Sequence, residues 1–234
     1  AVQKYMIDRS TTVSDFMGSL KRGRQNLPDE ATLVIQNLMD SHDTPRLASM
    51  IVNPGREYNV DGKPEMGFNV RKPNTEERRI QKLIALFQYT YVGAPMIYYG
   101  TEAGMWGAGD PDDRKPMVWP DYEYELERSH QKLGEIRNEH LALQSGAFQL
   151  LVIDDEEDLF AFARILNTQK FALVALNRSA KSQIINIPLT DFEFPAEKYL
   201  KNLLTGTRVE IEDGQAAVKL PPVSGAVLTP EKVE

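Results

Sequence analysis

The chain has 234 residues, with 27 Lys+Arg against 34 Asp+Glu for a net charge of −7, and no cysteine. An acidic balance without clustered basic residues argues against a general nucleic-acid binder, and the absence of cysteine excludes disulfides, zinc–thiolate sites and cysteine nucleophiles. The apolar fraction of 41% suits a chain that buries a core, and no run of about 18 apolar residues is present to cross a membrane.

The length fits one large domain or two modest ones. The opening AVQKYMIDRS has no basic start followed by an apolar core, so it is not a signal peptide, and the chain is read as starting inside a longer protein. Residues 12–24 place Val13, Phe16, Met17 and Leu20 at helical spacing. Pro28 and Asp29 break that pattern, and the short apolar stretch TLVIQNL at 32–38 predicts a buried strand. Residues 47–73, with Pro54, Gly55, Gly62, Pro64, Gly67 and Pro73, read as a long connection of the kind that is functional or inserted. Asn74 with Glu77 forms a capping-box pattern, and Ile80, Leu83, Ile84, Phe87 and Tyr91 give the apolar stripe of the helix that follows. A second short strand is expected at 96–99, then a glycine-rich stretch at 100–109 and a helix at about 122–143.

The pattern changes near Gly146. Strands are expected at 148–153, 159–165, 171–177, 183–187, 199–204, 208–211, 217–220 and 226–228, separated by turn signals such as Asp213-Gly214. Many short strands at close spacing predict an antiparallel β-sandwich, so a domain boundary is placed at 145, between segments 1–145 and 146–234. The strand–helix–strand–helix order of the first segment predicts a parallel sheet with covering helices. Two parallel strands cannot bury both their faces, so further strands are expected from chain lying before Ala1.

Three stretches, in order, resemble the α-amylase family of glycoside hydrolases, most closely its cyclomaltodextrinase and neopullulanase branch. They are NLMDSHDTPR at 37–46, GAPMIYYGTEAGMWG at 93–107 and DPDDRKPMVW at 110–119. The resemblance covers nearly the whole chain. It implies an α/β plus all-β architecture: the last two strands and helices of a (β/α)8 barrel, followed by the sandwich. Barrel chemistry sits where strands end, and His42 and Asp43 follow the predicted 32–38 strand by a few residues.

Retaining glycosidases use a carboxylate nucleophile and a carboxylic acid flanking the scissile bond. By motif position, the resemblance makes Asp43 a third carboxylate, one that stabilises the transition state at sugar hydroxyls and keeps the acid protonated by like-charge repulsion. His42 would donate to the same sugar. Asp110 and Arg114 would hold the neighbouring sugar through carboxylate and guanidinium contacts to its hydroxyls. Trp106 offers an indole face for stacking, and Arg46 would orient the Asp43 loop at the substrate. The family's nucleophile and acid motifs are not found here, so the chain alone is expected to be inactive. The implied partner is an α-glucan or cyclodextrin substrate, together with the missing N-terminal part of the barrel. Nucleic acid and membrane are not expected, and homo-oligomerisation and compartment stay open. No metal or cofactor is expected, with Ca²⁺ reserved for the full-length enzyme.

Plainer readings stand beside these. Asp43 could cap a helix, since Asp-Thr-Pro suits a helix start. Asp110 and Arg114 could pair across their own turn, and Trp106 could simply pack. Tyr98 and Tyr99 read as core and rim, Glu102 as a buried carboxylate satisfied by backbone donors, and His130 and His140 as surface or packing residues. The acidic run 154–158 reads as a solvated hairpin turn, because it lacks the spaced ligands of a Ca²⁺ loop. A non-catalytic carbohydrate-binding or structural role is the main rival. An HD-type metallophosphohydrolase is disfavoured, because the chain has three histidines in total.

Overall fold

A computed structural model describes residues 1–57, 66–119, 122–193 and 199–230. Gly62 and Pro64 of the long 47–73 segment lie outside the described residues. The chain opens on a π-helical turn, Gln3–Ile7, and then enters α1 (Val13–Arg24). Thr12 starts α1 with a reciprocal capping box: its hydroxyl accepts the Asp15 N–H, and the Asp15 carboxylate accepts the Thr12 N–H.

The strand expected at 32–38 is shorter. Residues Asp29–Leu33 form a one-turn helix, α2, and only Gln36–Leu38 form β1. Pro28 at the N-cap, with Asp29 and Glu30 in the first turn, favours helix there. The segment read as a long connection contains α3 (Leu47–Val52), which is buried along most of its length. Helix α4 (Thr75–Thr90) starts on the Asn74–Glu77 capping box, with Glu77 N–H to Asn74 Oδ1 at 2.9 Å and Asn74 N–H to Glu77 Oε2 at 2.7 Å. Strand β2 is Ala94–Met96, earlier than the expected 96–99. Pairing decides this, since the Ala94 N–H donates to Ile35 O, whereas the Met96 carbonyl is taken by the Gln88 side chain. The last helix of this half is two helices, α5 (Tyr124–Glu139) and α6 (Leu141–Ser145), broken at His140. Arg137 and Gln144 side chains donate to carbonyls around the break.

Strands β1 and β2 pair in parallel, Gln36 opposite Ala94 and Leu38 opposite Met96. The eight remaining strands form one antiparallel sheet in the order β3-β4-β5-β10-β7-β8-β9-β6. They are β3 (Ala147–Asp154), β4 (Leu159–Asn167), β5 (Lys170–Asn177), β6 (Gln183–Pro188), β7 (Tyr199–Asn202), β8 (Arg208–Glu212), β9 (Gln215–Leu220) and β10 (Ser224–Pro230).

This sheet folds over itself into a sandwich. Leu159, Ala161 and Ala163 of β4 and Leu173 and Ala175 of β5 pack against Ile185, Ile187, Val218 and Leu220 of β6 and β9. The opposite faces of β4 and β5, carrying Phe160, Phe162, Val174 and Leu176, pack against the helices through Tyr5, Phe16, Leu83, Ile84 and Phe87. Strands β4 and β5 are therefore covered on both faces, which is why their sequences are continuously apolar rather than alternating.

Buried arginines tie the helices to the sheet. Arg164, fully buried, donates to the carbonyls of Thr90, Tyr91 and Gly146 at 2.9, 2.8 and 3.1 Å. Burial lowers its pKa to about 10. Arg178 lies over the Tyr5 ring, donates to Tyr5 O, and pairs with both oxygens of Asp158 at 2.7 Å. The acidic run 154–158 thus forms the expected turn but is less free than a solvated loop. Besides the Asp158 pair, its Asp155 carboxylate accepts the Ser14 N–H at the start of α1.

Candidate functional site

Because β1 and β2 run parallel, the loops that leave their C-terminal ends emerge on the same side. The loop after β1 is a compact turn: the Ser41 N–H donates to Thr44 Oγ1 at 3.0 Å and the Asp43 N–H donates to Ser41 Oγ at 3.1 Å. That turn leaves the side chains of His42 and Asp43 exposed, at 63% and 71%.

The loop after β2 brings Arg114 across to them. Arg114 Nε donates to His42 O at 3.0 Å, Nη2 lies 3.6 Å from Asp43 Oδ1, and Nε lies 3.4 Å from Asp110 Oδ1. His42 Nε2 is 3.3 Å from Asp43 Oδ2. Three other residues expected at the site, His42, Asp43 and Asp110, are therefore gathered around the Arg114 guanidinium. Pairs this exposed contribute about 0–1 kcal/mol each, so fold stability is a poor reason for collecting them.

Beneath this surface a buried layer fixes the two loops. Asp40, 3% exposed, accepts the Leu47 N–H at the start of α3 at 2.8 Å and the Thr101 hydroxyl at 2.8 and 3.0 Å. Burial raises its pKa to about 6, against the lowering effect of those two donors and of Arg46. The Arg46 N–H donates to Gly107 O, and the Gly107 N–H donates to the Ser49 hydroxyl. Gly107 is required at this crossing, since a Cβ there would stand 2.7 Å from the Asp112 carbonyl oxygen. Asp112 accepts the Ala108 N–H at 2.7 Å and pairs with Lys115 at 3.1 Å, closing the turn that presents Asp110 and Arg114.

Two expectations change. Arg46, placed at the substrate by the resemblance, is fully buried: its guanidinium lies over the Tyr98 and Tyr99 rings at 4.3 and 4.5 Å and donates to Tyr99 O. It holds the loops without facing a ligand. Glu102 has an oxygen, Oε2, that is buried without a hydrogen-bond partner among the described residues, rather than satisfied by backbone donors. Trp106 is half-buried, with the Lys115 ammonium 6.0 Å from its ring centre. His130 packs, as expected; it is buried against Tyr89, and burial lowers its pKa to about 4.

The sequence reading missed Asp40, Ser49 and Thr101, whose roles depend on contacts across the fold. It also missed Asp113, which is fully buried, with its carboxyl raised above the usual range by desolvation. Trp119, treated only as the end of a motif, is 69% exposed and stacks parallel to Tyr122 with ring centres 6.0 Å apart. Among the described residues no cluster of three or more His, Asp or Glu side chains is arranged to hold a metal ion.

No family model matches the chain. Individual proteins do. It is 32% identical over 224 residues to a cyclomaltodextrinase of Geobacillus thermopakistaniensis, covering 95% of this chain and 33% of that protein. It is also 32% identical over 216 residues to neopullulanase 2 of Thermoactinomyces vulgaris, covering 91% of this chain and 32% of that one. A solved cyclomaltodextrinase structure superposes with a TM-score of 0.78 at 25% identity, over 97% of this chain and 35% of that one. The chain thus spans about a third of the length of the relatives it matches. Its parallel pair and antiparallel sheet correspond to their C-terminal region, and the chain belongs to the α-amylase family of glycoside hydrolases, with relatives among the cyclomaltodextrinases and neopullulanases.

Proposed function

We propose that this chain supplies part of the active site of a retaining hydrolase that cleaves α-1,4 bonds in α-glucans or cyclodextrins. The observation that carries this reading is the convergence of His42, Asp43, Asp110 and Arg114 at the end of the β1–β2 pair from which barrel chemistry is presented. In this reading Asp43 accepts hydrogen bonds from hydroxyls of the sugar being cleaved and stabilises the distorted, positively charged transition state. His42, held beside it, donates to the same sugar. Arg114 and Asp110 bind the next sugar, with the five donors of the guanidinium complementing a carboxylate acceptor.

The nucleophile and the general acid are assigned to residues outside these 234. Support for this comes from the parallel sheet, which has two strands among the described residues and leaves Leu38 and Met96 exposed as apolar surface suited to further strands. The segments 1–145 and 146–234 are proposed as barrel part and sandwich, joined by the aromatic core and Arg164.

The test is an assay of the 234-residue chain beside the full-length protein that contains it, on β-cyclodextrin, pullulan and starch. The full-length protein is expected to hydrolyse at least one of them and the chain alone none. Turnover by the chain alone would overturn the assignment of the nucleophile and acid. An inactive full-length protein would overturn the function.

A further inference from the structure

A groove of about 390 Å³ lies away from the His42–Arg114 cluster, between α4, α5 and the sandwich. Its apolar walls are Leu83 and Leu86 of α4, Leu133 of α5, and Leu204 and Val223 of the sandwich. Among the described residues four cations line it, Arg79 and Lys82 from α4 and Arg128 and Lys132 from α5, and no carboxylate does. In a chain of net charge −7 this is a local reversal of sign.

The hydroxyls present are already committed: Ser129 donates to Glu125 O and Ser224 donates to Pro221 O. What the groove offers a ligand is therefore apolar surface and positive charge. Three of the cations also reach acids outside the groove, Arg79 to Glu76 at 3.0 Å, Lys82 to Glu125 at 3.3 Å and Lys132 to Glu135 at 3.9 Å. These pairs are solvent-exposed and worth at most about 1 kcal/mol each, so a ligand anion can replace them at little cost.

The backbone supplies an independent sign. Val223, on the groove wall, has φ +47°, a left-handed conformation that is an outlier for a β-branched residue. Strain of this kind gathers at ligand clamps, where the surroundings over-determine it. It is held here by the Val223 N–H donating to Ser179 O. At Gly225 a Cβ would stand 2.4 Å from Leu86 Cδ2, so glycine lets β10 close the groove floor against α4.

We infer that this groove binds a small amphiphile with one anionic head and an apolar tail, the tail lying on Leu83, Leu86, Leu133 and Leu204 and the head among Arg79, Arg128 and Lys132. Its volume falls in the usual range for small-ligand sites, about 300–1,000 Å³.

Calorimetric titration of the full-length protein that contains this chain with hexanoate, octanoate and decanoate tests this, with decyltrimethylammonium, a neutral decyl glucoside and acetate as controls. Affinity is expected to rise about two- to fourfold per added methylene, to fall with added salt, and to be at least about tenfold weaker for each control than for decanoate. The exposed double variant R128Q/K132Q, with an unchanged melting temperature, is expected to lose at least about fivefold in decanoate affinity. Equal binding of the cationic or neutral decyl compound would overturn the inference, as would undiminished decanoate binding by the double variant or no binding of decanoate at all. None of these readouts involves glycoside hydrolysis, so the inference stands or falls apart from the proposed function.

Discussion

Asp40 is the buried support of the loop that carries His42 and Asp43, and Asp40→Asn separates its charge from its hydrogen bonds. The carboxyl is 3% exposed, and burial raises its pKa from 3.8 to about 6. An acid with a raised folded-state pKa keeps its proton in the native state between about pH 4 and pH 6, where the unfolded chain has released it. The native state then binds more protons, so this group's contribution to stability falls as pH rises through that window. At about 1.36 kcal/mol per pH unit, a gap of about two units amounts to about 3 kcal/mol lost by pH 7.

Asparagine is the neutral isostere. Its carbonyl can accept the Leu47 N–H and its amide can donate to the Thr101 hydroxyl, so both contacts survive. His130 acts in the opposite direction. Burial lowers its pKa from 6.5 to about 4, so its contribution is lost as pH falls below about 6.5. The wild-type pH profile therefore mixes opposed effects, whereas the difference between variant and wild type isolates Asp40. Thermal melts across about pH 4 to 7 should show Asp40→Asn gaining on the wild type by about 3 kcal/mol, a change in the Tm gap of roughly 6–12 °C for a chain of this size. Parallel curves, with a gap constant to within about a degree, would refute the reasoning.

Other outcomes follow from the same geometry. Arg164→Met removes the donor to three buried carbonyls, at Thr90, Tyr91 and Gly146, and should cost about 3 kcal/mol in urea unfolding. Arg114→Ala breaks only exposed pairs, so stability should change by less than about 1 kcal/mol while KM of the full-length protein on cyclodextrin rises; an unchanged KM would contradict the sugar contact. Gly107→Ala drives a Cβ to 2.7 Å from the Asp112 carbonyl, and should destabilise the full-length protein by about 1–3 kcal/mol in urea unfolding while lowering its turnover of cyclodextrin by displacing the Asp110–Arg114 turn.

Much of the fold was legible because its signals are local. The Asn74–Glu77 capping box starts α4 as its sequence predicts, and seven of the eight strands expected after residue 145 lie within observed ones, while the one expected at 199–204 ends at Asn202, where the chain turns. The misread parts depend on distant contacts. Helix α3 is only six residues long, apolar but for Ser49, and shows no amphipathic period, and its first N–H is satisfied by Asp40, seven residues upstream. Residues 32–34 have strand-like side chains, but the helix start at Pro28-Asp29-Glu30 claims them first. At the site, His42, Asp43, Asp110 and Arg114 could be singled out from short motifs. Asp40, Thr101 and Ser49 could not, since their meaning lies in pairings across 7, 61 and 58 residues of sequence. Arg46 was misplaced for the same reason: nothing beside it in sequence shows that Tyr98 and Tyr99 bury it.

The most direct test of the site is the turnover number of the full-length protein carrying Asp43→Asn on cyclodextrin. The side chain is exposed and makes only weak pairs, so the melting temperature should hold to within a few degrees. A carboxylate that acts in the transition state should cost on the order of a thousandfold in kcat when neutralised. A variant that folds normally and turns over within about threefold of the wild type would show that Asp43 is a surface carboxylate and that this cluster does no chemistry.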